Sequence, residues 1–134
     1  MRVGRERTER MSAKIAVVED NPDNRLLVSA ILDDAYELSE YESGAEVLAG
    51  LKDNPPDLML LDISLPEMDG TEVLAWIRKQ PEFEGLPVIA LTAHAMAGDR
   101  EKYLAAGFNE YVTKPILDED VLLEAIQRCL GQAS

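Results

Sequence analysis

Cysteine occurs once in the 134 residues, as Cys129, which excludes an internal disulfide and any zinc site built from several cysteines. It sits between Ile126 and Leu130 in an apolar helical pattern and reads as a small buried residue. Positive charge is also scarce: 13 Lys and Arg stand against 26 Asp and Glu, for a formal charge of -13. A surface of that sign repels nucleic acid and anionic lipid, because phosphate contacts require lysine and arginine. No apolar run approaches the roughly 18 residues that cross a bilayer, and the N-terminus has no secretory apolar stretch. A cytoplasmic protein without membrane insertion or direct DNA binding is expected.

What the chain does have is apolar content, 46% of its residues, enough for one core and too much for a disordered polymer. Residues 1–12 stand apart. Arg2, Arg5, Arg7 and Arg10 alternate with Glu6 and Glu9, and little there can be buried. They read as a flexible leader, or as an extension upstream of a start at Met11, with a basic docking arm as the alternative. Residues 13–134 form the single domain.

Within that domain the hydropathy is regular. Ile15-Ala16-Val17-Val18, Leu58-Met59-Leu60-Leu61 and Val88-Ile89-Ala90-Leu91 are short apolar runs bounded by polar or turn residues. Strands covered on both faces have this form, as in a parallel sheet between helices. Residues 36–41 suit a more polar edge strand, and Glu110-Tyr111-Val112 a short fifth. Helical spacing appears between them: over 22–34 with Leu26, Leu27, Ala30 and Ile31, over 43–53 with Val47, Leu48 and Leu51, and over 71–79 with Val73, Leu74 and Ile77. Two more follow: 95–106, stopped by Gly107, and 118–130 with Val121, Leu122, Ala125, Ile126 and Leu130. Strands alternating with helices predict one α/β domain with right-handed crossovers.

Polar residues of particular kinds end these runs. The first ends in Glu19-Asp20, the third in Asp62 and the fourth in Thr92, while the fifth leads through Thr113 to Lys114-Pro115. In open α/β sheets, sites form beyond the carboxyl ends of the strands. Carboxylates gathered there repel one another, and a divalent cation offsets the repulsion; oxygen ligands suit magnesium, or manganese, better than zinc. A carboxylate can also act as nucleophile and carry a phosphoryl group. The ammonium of Lys114 and the hydroxyl of Thr92 then match the remaining phosphoryl oxygens. Each residue has an ordinary alternative: Asp20-Asn21-Pro22 as a helix cap, Asp62 as a turn acid, Thr92 as a cap, Lys114 as a solvated lysine. Their conjunction on successive strand ends is what argues for chemistry.

Taken together, the residues resemble the receiver domain of response regulators. The motifs are Val18-Glu19-Asp20-Asn21, the segment Asp62-Ile63-Ser64-Leu65-Pro66-Glu67-Met68-Asp69-Gly70, Ala90-Leu91-Thr92-Ala93, Ala106-Gly107-Phe108 and Lys114-Pro115. The resemblance implies a flavodoxin-like, doubly wound (βα)5 fold with five parallel strands in the order 2-1-3-4-5. It implies that Asp62 is the phosphorylation site, and that Glu19, Asp20, Asp62 and the Ser64 carbonyl hold Mg2+ (Mn2+ as alternative). Lys114 and Thr92 contact the phosphoryl group, the Lys114-Pro115 bond is cis, and Thr92 and Tyr111 form the switch. Ser64 and His94 stand where the family varies and tunes acyl-phosphate lifetime; a bystander role is the alternative for His94. By itself Tyr111 would read as a static, half-buried aromatic, and Trp76 as a helix residue packing on its neighbours.

The expected function is a phosphorylation-dependent signalling switch rather than a turnover enzyme. A sensor histidine kinase or histidine phosphotransfer protein supplies the phosphoryl group. A protein target reads the face made by the fourth helix, fifth strand and fifth helix, and the chain is a monomer or weak dimer. Because the chain stops soon after the fifth helix, no output domain is expected; the receiver portion of a hybrid histidine kinase is the alternative. A Mg-dependent phosphohydrolase would place a second Asp at position 64, where this chain has Ser64. A flavin mononucleotide module would need a loop rich in free N–H groups where Glu19 and Asp20 stand.

Overall fold

Four-residue apolar runs with polar ends become the inner strands of a parallel sheet. The structure is a computed structural model that describes residues 13–93, 98–114, 116 and 118–133, so the leader lies outside it. β1 (Lys14–Val18), β3 (Leu58–Asp62) and β4 (Val88–Thr92) lie inside, flanked by β2 (Glu37–Tyr41) and β5 (Glu110–Thr113). The order is β2-β1-β3-β4-β5 and every pairing is parallel. This is the flavodoxin-like, doubly wound arrangement expected from the sequence. All of β3 and β4 is buried, whereas the edge strand β2 is half-buried with two exposed glutamates, Glu37 and Glu40.

Among the described residues five α-helices cover the two faces: α1 (Pro22–Leu32), α2 (Gly44–Gly50), α3 (Gly70–Arg78), α4 (Asp99–Ala106) and α5 (Glu119–Ala133). The period of two along each strand splits the core into two layers. Val18, Leu61 and Ala90 face α2, α3 and α4, where Val47, Val73, Leu74 and Tyr103 meet them. Val17, Leu60 and Leu91 face Val28 and Leu32 of α1 and Leu122, Ile126 and Cys129 of α5. Cys129 is a free, buried thiol, as its apolar setting predicts. Trp76 packs half-buried against the first layer. Among the described residues, no helix is long and apolar enough to cross a membrane.

Helix ends follow local chemistry. Asn21 caps α1 by accepting from the N–H groups of Asp23 and Asn24, which leaves Asp20 free of that task. Asp69 and Glu72 form a reciprocal capping box at α3, and Gly107 ends α4 at φ 113°.

Three expectations needed correction. The apolar face of α1 is not the Leu26–Leu27 side: these are 69% and 40% exposed, while Val28 and Leu32 are buried. Val121 is likewise 50% exposed, while its neighbour Leu122, with Ala125 and Ile126, forms the buried face of α5. The fourth helix begins at Asp99 rather than near 95, because Gly98 has φ 92°, a left-handed conformation that a helix cannot continue. Residues 94–97 lie outside the described residues.

Arg78, at the end of α3, donates to the carbonyls of Phe83, Glu84, Leu86 (2.7 Å) and Gly107 (2.8 Å), and to Asn109 Oδ1 at 3.1 Å. Asn109 in turn accepts from Val88 N at 2.9 Å. One guanidinium therefore ties the turn after α3 to the junction between α4 and β5 and to the start of β4.

Candidate functional site

Parallel register brings the strand ends to one edge. Val18 pairs with Leu61, so the residues that follow them, Glu19 and Asp62, lie next to each other. The chain leaves β1 toward β2 on one side and has β3 on the other, which makes this the switch point of the sheet. Glu19 and Asp62 are buried and Asp20 is exposed; one carboxylate oxygen from each lies within 4.8 Å of the others. Lys114, just past β5, reaches across. Its Nζ is 3.1 Å from Asp62 Oδ2 and 3.3 Å from Glu19 Oε1.

The backbone holds these groups in place. Ser64 N donates to Asp62 Oδ1 at 3.0 Å, and Asn21 N donates to Glu19 Oε2 at 3.2 Å. Arg25 Nη1 donates to the Glu19 carbonyl at 2.9 Å while Arg25 Nε pairs with Glu40 at 3.4 Å, so α1 and β2 together fix the acidic turn. Behind Asp62 the chain makes a tight loop. Glu67 has φ 65°, and Met68 N donates to the Pro66 carbonyl at 2.6 Å, the hydrogen bond of a γ-turn. Gly70 N donates to Ile63 O at 2.9 Å, and a Cβ at Gly70 would lie 2.5 Å from the Asp62 carbonyl oxygen. Only glycine fits there.

Burial pushes the Glu19 carboxyl up to about 7, and its shared hydrogen bond with Asp62 adds to the shift. The Asn21 N–H and the Lys114 charge oppose it without cancelling it. For Lys114, burial alone would lower the ammonium, but its contacts with Asp62 and Glu19 outweigh burial and raise it. The cluster thus holds three carboxyl groups and one ammonium, and without a further cation Glu19 resists ionisation. An all-oxygen donor set with excess negative charge fits a hard divalent ion such as magnesium.

Thr92 ends β4, buried, with its Oγ1 3.0 Å from the hydroxyl of Tyr103 on α4. The Tyr103 ring meets Phe108 edge-on at 6.1 Å and lies tilted against Tyr111 at 5.9 Å. The sequence-predicted set of Glu19, Asp20, Asp62, Ser64, Lys114 and Thr92 thus stands at one edge of the sheet, with half-buried Tyr111 one ring beyond Tyr103. Thr92 does not cap α4, whose N-cap is Gly98. Pro115 and His94 lie outside the described residues, so neither the cis bond nor a flanking histidine enters this geometry. Sequence reasoning missed Tyr103, Arg25 and Arg78. Tyr103 carried one signal: it is an aromatic in an otherwise strongly charged helical stretch, the position bound to turn inward.

Comparison with known proteins gives a consistent result. The family model for the response regulator receiver domain matches residues 15–127. The chain is 39% identical over 124 residues to the polar-differentiation response regulator DivK of Brucella ovis, covering 92% of this chain and 100% of that protein. It is 41% identical over 111 residues to the signal transduction histidine-protein kinase BarA of Escherichia coli, 82% of this chain but only 12% of the kinase. The crystal structure of the receiver domain of sensor histidine kinase PA1611 from Pseudomonas aeruginosa, with magnesium coordinated in its active site cleft, superposes with a TM-score of 0.80 at 36% identity. That match covers 90% of this chain and 98% of the other.

Proposed function

The chain belongs to the response regulator receiver domain family of two-component signalling, and from that premise we propose that Asp62 is its phosphate acceptor. Receiver domains are signalling switches rather than turnover enzymes. The observation that carries the assignment is the Lys114 ammonium 3.1 Å from a buried Asp62 whose neighbours Glu19 and Asp20 are also carboxylates.

In this reading a carboxylate oxygen of Asp62 attacks the phosphorus of a phosphohistidine. An O–P bond forms as the donor's N–P bond breaks, and the imidazole leaves with the electron pair and takes up a proton. Ser64 N–H fixes the rotation of the Asp62 carboxylate by holding Oδ1. The Lys114 ammonium neutralises one phosphoryl oxygen and the Thr92 hydroxyl donates to another. Glu19, Asp20, Asp62 and the Ser64 carbonyl would hold magnesium, which supplies charge neutralisation for the carboxylates and the transferred group. Ser64, two residues after Asp62, tunes the lifetime of the acyl phosphate, a role the family resemblance also gives His94.

The donor is a sensor histidine kinase or a histidine phosphotransfer protein in the cytoplasm. The altered surface, read on the α4–β5–α5 face, reports through Thr92 and Tyr111 to a protein partner, with the chain a monomer or weak dimer. The 41% identity to a segment of a histidine kinase supports a second setting, as a receiver joined to a kinase. The acceptor assignment is tested by incubation with a small-molecule phosphodonor and magnesium, followed by intact mass. One added phosphoryl group, labile to hydroxylamine and lost in Asp62→Asn, is expected; undiminished labelling of Asp62→Asn would refute it.

A further inference from the structure

We propose that the Tyr103 phenol is a latch on Thr92: it holds the threonine hydroxyl in the unphosphorylated state and must release it when Asp62 is phosphorylated. The inference rests on the reading of Asp62 as acceptor and Thr92 as a phosphoryl contact.

The pleat supplies the first argument. Along β3, Asp62 continues the row of Leu58 and Leu60, which packs toward α1 and α5. Along β4, Thr92 continues the row of Val88 and Ala90, which packs toward α3 and α4. The Thr92 side chain thus starts on the face opposite the acceptor, with its Oγ1 3.0 Å from the Tyr103 hydroxyl. Reaching a phosphoryl oxygen on Asp62 requires the hydroxyl to swing away from the phenol. Whichever of the two hydroxyls donates, their bond lasts only while Thr92 Oγ1 stays beside the phenol, and a charged phosphoryl oxygen is a stronger acceptor than a neutral phenol. Phosphorylation therefore wins the threonine, at the cost of the buried bond to Tyr103.

The second argument is where Tyr103 sits. It is the one buried residue of α4 among the described residues, so its ring is the main anchor of that helix. The same ring touches Phe108 and Tyr111, which flank and belong to β5. Releasing the phenol loosens the anchor of α4 and disturbs Tyr111 in one event. The link from Thr92 to the surface thus runs through Tyr103 first and Tyr111 second. Tyr103 is a positioning residue, since it acts on the site only through Thr92.

The test is the apparent affinity for beryllofluoride, a phosphoryl mimic, in the presence of Mg2+, for wild type and Tyr103→Phe. Phenylalanine keeps the ring and its packing and removes only the bond. Binding tighter by about two- to tenfold is expected, the weight of one intramolecular hydrogen bond opposing the competent state. A residue that merely fills the core would change thermal stability and leave this affinity alone; equal or weaker binding overturns the latch. Should Tyr103→Phe fail to fold, the wild type answers directly. Its Tyr103 ring resonances must shift when beryllofluoride is added, and unshifted resonances overturn the latch. A wild type that accepts neither beryllofluoride nor a phosphoryl group overturns the acceptor reading beneath it, a result distinct from a labelled wild type that Tyr103→Phe does not alter.

Discussion

The ammonium of Lys114 lies 3.1 Å from Asp62 Oδ2, and the two side chains are 15% and 2% exposed. Charges so close and so little solvated interact strongly, and removing one leaves the other without its partner. Lys114→Ala is expected to retain magnesium binding, because the ligands are carboxylates, and to lose the conformational response to phosphorylation. Labelling should slow by about a hundredfold, as for loss of one group that stabilises transferred charge. Titration of Mg2+ and backbone chemical shifts of α4 with and without phosphodonor check both halves.

Glu19 predicts an unusual pH profile. Its folded pKa of about 7 lies above the ordinary 4.5, so between those values the folded protein keeps a proton that the unfolded chain has released. Stability of the metal-free protein therefore falls as pH rises through that window and levels off above about 7. Magnesium requires the ionised carboxylate, so its affinity should weaken by about tenfold or more from pH 8 to pH 5.5. Thermal unfolding at both pH values, without and with Mg2+, measures this; a metal-free stability that rises across the window would contradict it.

Gly70 controls the backbone of Asp62, the proposed acceptor. A Cβ there would stand 2.5 Å from the Asp62 carbonyl oxygen and 2.9 Å from the Ile63 Cα, contacts with main chain that cannot rotate aside. Gly70→Ala should cost about 1–3 kcal/mol, the usual range for overpacking. Because the displaced atoms belong to Asp62 itself, labelling should fall along with stability. Urea unfolding and intact mass on the same preparation test the pair of effects.

Arg78 should separate the two. Its guanidinium serves the carbonyls of Phe83, Glu84, Leu86 and Gly107 and the Asn109 side chain, none of them a candidate site residue. Arg78→Ala is expected to destabilise the fold by about 1–3 kcal/mol, since several part-buried carbonyls lose a charged donor at once. At temperatures where the variant remains folded, labelling of Asp62 should match wild type. A large loss of labelling in a folded Arg78→Ala would show that this junction feeds the site.

The inner strands were legible because four consecutive apolar residues leave few alternatives, and Leu58 to Leu61 are indeed buried on both faces. The acids of the site were legible for a related reason: Glu19 and Asp62 directly follow such runs and have nowhere to go but the sheet's edge. Helix faces were harder. On α1, Leu26-Leu27-Val28 offers two candidate stripes, and the choice of Val28 is made by the sheet, which the local pattern cannot see. The Tyr103 hydroxyl and the Arg78 guanidinium were invisible for the same cause, since their partners come from separate elements. Such bonds are properties of the assembled layers.

Lys114 and Glu19, which meet at 3.3 Å, are separated by 95 positions along the chain. A growing polypeptide that has emerged only through β4 already owns its carboxylates and lacks the cation that belongs between them. If Asp62 is the acceptor, the ammonium that speeds its labelling joins the site only once β5 has been made. A copy that ends before Lys114 keeps the carboxylates and is expected to be charged about a hundredfold more slowly.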